Sequence, residues 1–236
     1  MAEPVRARIE RNLLGVRERI AAALTRSGRS GPVRLVAVTK SADLPAIRAL
    51  VELGLTDLGE SRVPQLIERA AEIAEAVYDP SRLTWHMVGH LQRNKVRAVL
   101  DVAGLIHSVD SLRLAEEINT RAERLGRRVD VLMQVNCSRE AHKFGVAVGA
   151  AGHLAELIGT LRSLNLLGLM TMAPLEGGPE AARPSFCRLR ELFEEMRHEK
   201  IVGPGFEHLS MGMSQDYEVA VEEGATIVRI GTALFG

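Results

Sequence analysis

Lys40 closes the apolar run Val33-Arg34-Leu35-Val36-Ala37-Val38-Thr39, where a buried strand would hand over to a loop. The 30 basic residues include only four lysines, Lys40, Lys95, Lys143 and Lys200; the rest are arginine. A chain that uses Arg almost everywhere for a surface cation, yet ends a core strand in Lys, points to chemistry that Arg cannot perform. A partly buried Lys can lose its proton and attack a carbonyl to form a Schiff base, whereas Arg stays charged. The competing reading is a lysine whose stem lies along the strand end with its ammonium in water. Two segments near the C-terminus bear on the choice. Ser210-Met211-Gly212-Met213-Ser214 and Arg229-Ile230-Gly231-Thr232-Ala233-Leu234-Phe235-Gly236 place small and hydroxyl-bearing residues at expected helix starts. Free backbone N–H groups there can hold a phosphate. Either segment alone reads equally well as a turn with a cap.

These groups need a scaffold that brings them to one rim. Val5, Ile9, Leu13, Val16, Ile20 and Leu24 recur at helical spacing up to Gly28, so residues 1–30 are expected to form a helix packed on the rest. Short apolar runs then recur at 33–39, 55–58, 84–88, 104–107, 129–135, 164–170, 206–209 and 226–230. Segments of 3.6-residue periodicity separate them, at 43–53, 61–77, 110–125, 149–162, 181–199 and 214–223. Short apolar strands alternating with helices belong to a covered parallel sheet. The class is α/β, and eight such units predict a single (β/α)8 TIM-type barrel over residues 1–236. A doubly wound open sheet is the alternative. In a barrel, chemistry sits at the C-terminal ends of the strands, and phosphates bind after the seventh and eighth. Lys40 ends the first run and the two small-residue loops follow the last two, so an amine faces a phosphate cup. That arrangement suits pyridoxal 5′-phosphate (PLP), whose aldehyde takes a lysine while its phosphate is cradled opposite.

Composition narrows the partners. With 46% hydrophobic and 25% charged residues, 236 positions suffice for one large soluble core. A formal net charge of zero argues against an electrostatic nucleic-acid binder. No apolar run reaches the ~18–20 residues of a membrane span, and the N-terminus lacks the apolar core of a secretory signal. A cytoplasmic protein without a membrane partner is expected. Cys137 and Cys187 lie far apart without metal-ligand spacing, so neither a metal site nor a disulfide is expected, and both read as small buried hydrophobes.

Seven segments then occur in order over nearly the whole chain: Ala37-Val38-Thr39-Lys40, Leu58-Gly59-Glu60, Trp85 through Gly89 with Leu91-Gln92-Arg93-Asn94-Lys95, Asn136 through Gly145, Gly168-Leu169-Met170, Leu209 through Ser214, and Val228 through Gly236. In this ordered set the chain resembles the pyridoxal-phosphate homeostasis proteins, whose fold is similar to the N-terminal barrel domain of alanine racemase. The resemblance implies that Lys40 carries PLP as an internal aldimine. Ser210, Ser214, Gly231 and Thr232 would hold the phosphate, with Met213 in the same loop, and Arg229 would point at the pyridine nitrogen. The implied role is PLP homeostasis and delivery, with PLP-dependent apo-enzymes as recipients. Two departures are visible. Ser61 stands where the family usually has Asn, which shortens one polar contact near the cofactor, and His90 stands where the family often has Pro or a small residue.

Whether bound PLP would be turned over depends on its partners. An arginine at the ring nitrogen donates a hydrogen bond and disfavours ring protonation, weakening the electron sink. By resemblance, alanine racemase tolerates such an arginine, but racemisation needs a base on each face. In the alanine racemases the second base is a tyrosine supplied by a partner subunit's additional domain. Here the only tyrosines are Tyr78, near a helix end, and Tyr217, early in the helix after the seventh run, for which packing is favoured. A PLP carrier with little or no turnover is therefore expected, as a monomer, since the surface that alanine racemases use to dimerise has no counterpart. The alternatives are an amino-acid racemase or lyase with Lys40 as base, and a barrel enzyme acting on a phosphorylated metabolite.

Other polar residues complete the candidate list. His86 either approaches the rim or is a hydrogen-bonded core histidine. Asn136 and Met170 end the fifth and sixth runs and could face the ring, with interior packing as the alternative for Met170. Glu60, after the second run, is the expected carboxylate near the site, or else a helix N-terminal charge. Asn94 and Lys95 read as a helix start that touches the site or merely caps. Lys143 is expected to be exposed or ion-paired beside Glu140 rather than a second aldimine site.

Overall fold

The computed structural model describes residues 3–138, 144–174 and 176–236. The elements in chain order are α1 (Val5–Ser27), β1 (Arg34–Val38), α2 (Leu44–Glu52), β2 (Asp57–Glu60), α3 (Val63–Ala76), β3 (Thr84–Met87), α4 (Val96–Leu100), β4 (Ala103–Val109) and α5 (Leu112–Arg124). They continue with β5 (Val129–Asn136), β6 (Val146–Ala147), α6 (Val148–Gly159), β7 (Leu164–Met170), α7 (Gly178–His198), β8 (His208–Ser210), α8 (Tyr217–Glu222), β9 (Ile227–Ile230) and α9 (Thr232–Phe235). All strand pairings among the described residues are parallel, and β1 pairs with β9 on one side and β2 on the other. A β4–β5 pairing joins the two halves, so every strand except the two-residue β6 lies in a closed barrel. The expected (β/α)8 barrel is the observed one, with β6 as a small addition to the edge of β5.

Alternation along the strands separates two apolar layers. Leu35 and Ala37 of β1 face the helices in the large outer core, whereas Val36 joins Leu105, Leu132, Met170 and Ile227 inside the barrel. Helix α1 buries Ile9, Leu13, Val16, Ile20 and Ala23, the stripe legible in its sequence, and ends at Gly28 with φ 63°. It packs on α2, α8 and α9. Asn12 Nδ2 donates to the carbonyls of Leu234 (3.0 Å) and Gly236 (3.2 Å), tying the first helix to the last.

Two strands lie later than their apolar runs suggest. The run at 55–58 predicts β2 two residues early: Leu55 is apolar because it is buried beside the turn at Gly54 (φ 84°), not because it pairs. Phe206 likewise lies before β8. Its ring stacks on Phe193 of α7 at 4.9 Å between centroids, so it belongs to the helix layer. The helix expected at 214–223 starts only at Tyr217, because Met213 to Asp216 form a turn in which the Met213 amide donates to Asp216 Oδ1 (2.6 Å).

Candidate functional site at the barrel rim

Strand β1 delivers Lys40 to the C-terminal rim. Thr39 follows the strand and prolongs its ladder, its amide donating to Gly59 O (3.0 Å), and the Ala42 amide then turns back to Thr39 O (2.9 Å). Lys40 sits in that turn and is exposed, where the sequence reading of a proton-losing amine called for partial burial.

The neighbouring strand β9 brings the second small-residue loop to the same rim. Ala37 of β1 is in register with Ile230 of β9, so Gly231 follows directly beside Val38. A Cβ on Gly231 would lie 3.3 Å from Val38 O, tighter than most side chains tolerate. The Ser214 hydroxyl oxygen accepts from the amides of Gly231 (3.1 Å) and Ala233 (3.2 Å). Thr232 between them is exposed. Gly212 makes the loop possible: its φ is 91°, and a Cβ there would meet Ala220 Cβ at 2.5 Å and Tyr217 Cα at 2.9 Å. Its carbonyl accepts from the Arg229 amide (3.0 Å), locking the loop to β9. Met213 is half-buried in the same loop.

Arg229 points inward and is 4% exposed. Its guanidinium donates from one terminal nitrogen to Ser210 Oγ (2.6 Å) and from the other to Thr171 O (2.9 Å). Burial lowers its pKa to about 10, against the pull of Asp216, so it is a cation at neutral pH. Asp216 itself is pushed up by burial, with the Met213 amide opposing.

Several expected residues are placed elsewhere. Ser210 has its hydroxyl engaged inside the barrel. It is the last residue of β8, in register with Met170, fully buried, and its hydroxyl lies between Arg229 and His107 Nδ1 (2.8 Å). Met170 is packed in the inner apolar cluster. Glu60 is the end of β2 rather than part of the following loop. It has the outward parity of Leu58 and of its register partner Met87, both in the outer core. Its Oε1 accepts from the Thr39 hydroxyl (2.5 Å), and burial raises its pKa against that bond, the Ser61 amide and the charges of Arg69 and Lys40. His86 is a core histidine with no exposure, below the rim. Asn136 does reach the rim at the end of β5, half-buried, where its Oδ1 accepts from Ser138 Oγ (2.9 Å). Lys95 ends a short 3-10 turn and, with Ser61, Arg62, His90 and Gln92, lines a cleft of about 490 Å³. His90 pairs with Asp110 (3.3 Å) and stacks on Phe144 at 4.1 Å between centroids. Lys143 and Glu140 lie outside the described residues. Cys137 is buried enough to push its thiol up to about 11, which leaves it protonated at neutral pH.

Neither tyrosine offers a second base at the rim. Tyr217 is 2% exposed and packs in the outer core behind Gly212, and Tyr78 is fully exposed in a cleft with Arg48 and Arg82. His107 and Asp57 were missed by sequence reasoning, although a histidine and Ser108 inside the apolar run Ala103–Val109 were a signal of a polar interior.

The family model for the alanine racemase N-terminal domain matches residues 12–236. The pyridoxal phosphate homeostasis protein of Aquifex aeolicus is 43% identical over 222 residues, covering 94% of each chain. The chain belongs to the pyridoxal phosphate homeostasis protein family. Among solved structures of similar proteins, one from Bifidobacterium adolescentis is 36% identical with a TM-score of 0.90, covering 100% of this chain and 97% of that one. PipY of Synechococcus elongatus, with PLP bound, is 34% identical with a TM-score of 0.78, covering 93% and 99%. The family model thus spans every strand of the barrel and all of α1 but its first turns. None of the chain's helices among the described residues is long and apolar enough to cross a membrane.

Proposed function

We propose that this chain is a cytoplasmic carrier of PLP, one barrel unit over residues 1–236, which holds the cofactor covalently through the Lys40 amine and releases it to PLP-dependent apo-enzymes with little or no turnover. The observation that carries this reading is the β1–β9 pairing, which sets the strand ending in Lys40 against Gly231 and the Ser214 hydroxyl. An exposed amine, a cradle of two amides and a hydroxyl, and a locked guanidinium fit an aldehyde, a phosphate and a ring nitrogen. Bound PLP supplies an electron sink and a reactive aldehyde. In this reading Ser214, Gly231 and Thr232 take the phosphate, and Arg229 donates to the ring nitrogen, which disfavours the ring's protonation. A donor-only partner at the ring and the burial of Tyr217 support holding over turnover. A monomer is the expected form.

The test is the near-visible absorption of the purified protein with and without PLP, beside Lys40→Ala, followed by borohydride reduction and mass analysis of the Lys40 peptide. A band lost in Lys40→Ala and a cofactor mass on Lys40 support the reading. No band and no added mass overturn it. Exchange of the α-proton of alanine or serine faster than with free PLP would replace the carrier by a racemase or lyase.

A further inference from the structure

The residues that hold Arg229 form a chain across the barrel interior. Arg229 touches Ser210 Oγ at 2.6 Å, Ser210 Oγ touches His107 Nδ1 at 2.8 Å, His107 Nε2 touches His86 Nδ1 at 2.9 Å, and His86 Nε2 touches Asp57 Oδ1 at 2.9 Å. Ser210, His107 and His86 have no solvent exposure, so each contact is a hydrogen bond that water cannot replace. The ends dictate the direction. A guanidinium only donates, so Ser210 accepts from Arg229, and with both imidazoles neutral its own proton goes to His107 Nδ1. His107 is then protonated at Nε2 and donates to His86 Nδ1. His86 in turn is protonated at Nε2 and donates to Asp57, whose carboxylate only accepts. With both rings neutral and Asp57 ionised, no other assignment satisfies all four contacts. A single cationic ring would instead reverse the bond to Ser210, with His107 Nδ1–H donating to its oxygen, but both rings are without solvent exposure and burial opposes that charge at His107.

Asp57 opens the chain to the opposite face of the molecule. It begins β2, at the N-terminal end of the barrel, whereas Arg229 serves the C-terminal rim. Its side chain retains 21% exposure beside Arg34 (3.8 Å) and lines a cleft of about 220 Å³ with Arg17, Arg34 and Thr56. We propose that Asp57, His86 and His107 are positioning residues for Arg229: one unidirectional chain, Arg229 to Ser210 to His107 to His86 to Asp57, sets the guanidinium's orientation from the far end of the barrel. The consequence for a ring nitrogen rests on the PLP reading above; the chain itself does not.

The test reads the histidine tautomers of 15N-labelled protein without added ligand, by two-bond 1H–15N correlation, with His86→Asn and His107→Asn giving the assignments. Both rings should be neutral and protonated at Nε2. Protonation of either at Nδ1, or a cationic ring at neutral pH, overturns the chain. Asp57→Asn keeps an acceptor oxygen and should preserve both tautomers and the near-visible spectrum of added PLP. Asp57→Ala should shift the His86 and His107 nitrogens and move that spectrum. Unchanged His107 nitrogens in a folded Asp57→Ala overturn the proposal, and should that variant not fold, the wild-type tautomers still decide. Wild-type protein that takes up no PLP overturns the carrier reading alone, because the tautomers are read without it.

Discussion

The Ser214 hydroxyl oxygen lies 3.1 Å from the Gly231 amide, bridging the loop after β8 to the loop after β9. Ser210, four residues earlier, faces the other way, into the barrel and onto Arg229. Two serines of one motif therefore do different work.

In the proposed reading, Ser214→Ala removes a hydroxyl that bonds a charged phosphate at about 1.5 kcal/mol or more, so PLP affinity should fall about tenfold. Protection of the fold by inorganic phosphate should weaken in parallel. Ser210→Ala instead leaves one Arg229 N–H and His107 Nδ1 without their partner, at about 1–3 kcal/mol of stability. Phosphate protection should survive in that variant. Thermal melts with and without phosphate separate the two, and equal loss of protection would refute the division.

Gly212→Ala places a Cβ 2.5 Å from Ala220 Cβ in a residue at φ 91°. The left-handed backbone and the overlap together should cost about 2–5 kcal/mol. Urea unfolding measures this, and a cost below about 1 kcal/mol would show that the loop relaxes.

Burial lowers the His107 pKa well below its ordinary value, and His86, Arg229, His208 and Arg34 push the same way. Below about pH 6.5 the unfolded chain takes up a proton that folded His107 refuses, so stability present at neutral pH is lost on acidification. The loss runs from the ordinary imidazole range down to the depressed folded value, at up to about 1.4 kcal/mol per pH unit. His107→Gln lacks this limb. It should be less stable than wild type at neutral pH, with the gap narrowing in acid; a pH-independent gap between the melting curves contradicts the assignment.

Phe206 is buried against Phe193 although its run reads as strand. Phe206→Ala should cost about 3–5 kcal/mol through the cavity it leaves between β8 and α7, measurable by chemical denaturation. A loss under about 1 kcal/mol would place its ring outside the core.

The α1 stripe, the barrel and the rim position of Lys40 were legible in the residues, because helical periodicity and short apolar runs are local properties. Glu60 shows where that legibility ends. Two residues' difference in where β2 starts turned it from a loop carboxylate into an outward strand residue beneath Thr39. Strand ends depend on pairing partners, which a run of apolar residues does not name.

By itself, then, the sequence determined that an amine and two small-residue loops would share one rim of an eight-unit barrel. Only the tertiary structure decided that Asp57, His86, His107, Ser210 and Arg229 are one system. Ser210 lies 103 positions from His107, and His86 lies 29 from Asp57. The residues meet because barrel closure turns alternate side chains of β3, β4, β8 and β9 into a common dry interior, which Asp57 of β2 meets from its partly exposed N-terminal mouth. There, an unmatched donor or acceptor is too costly to leave, and each polar group must find the next.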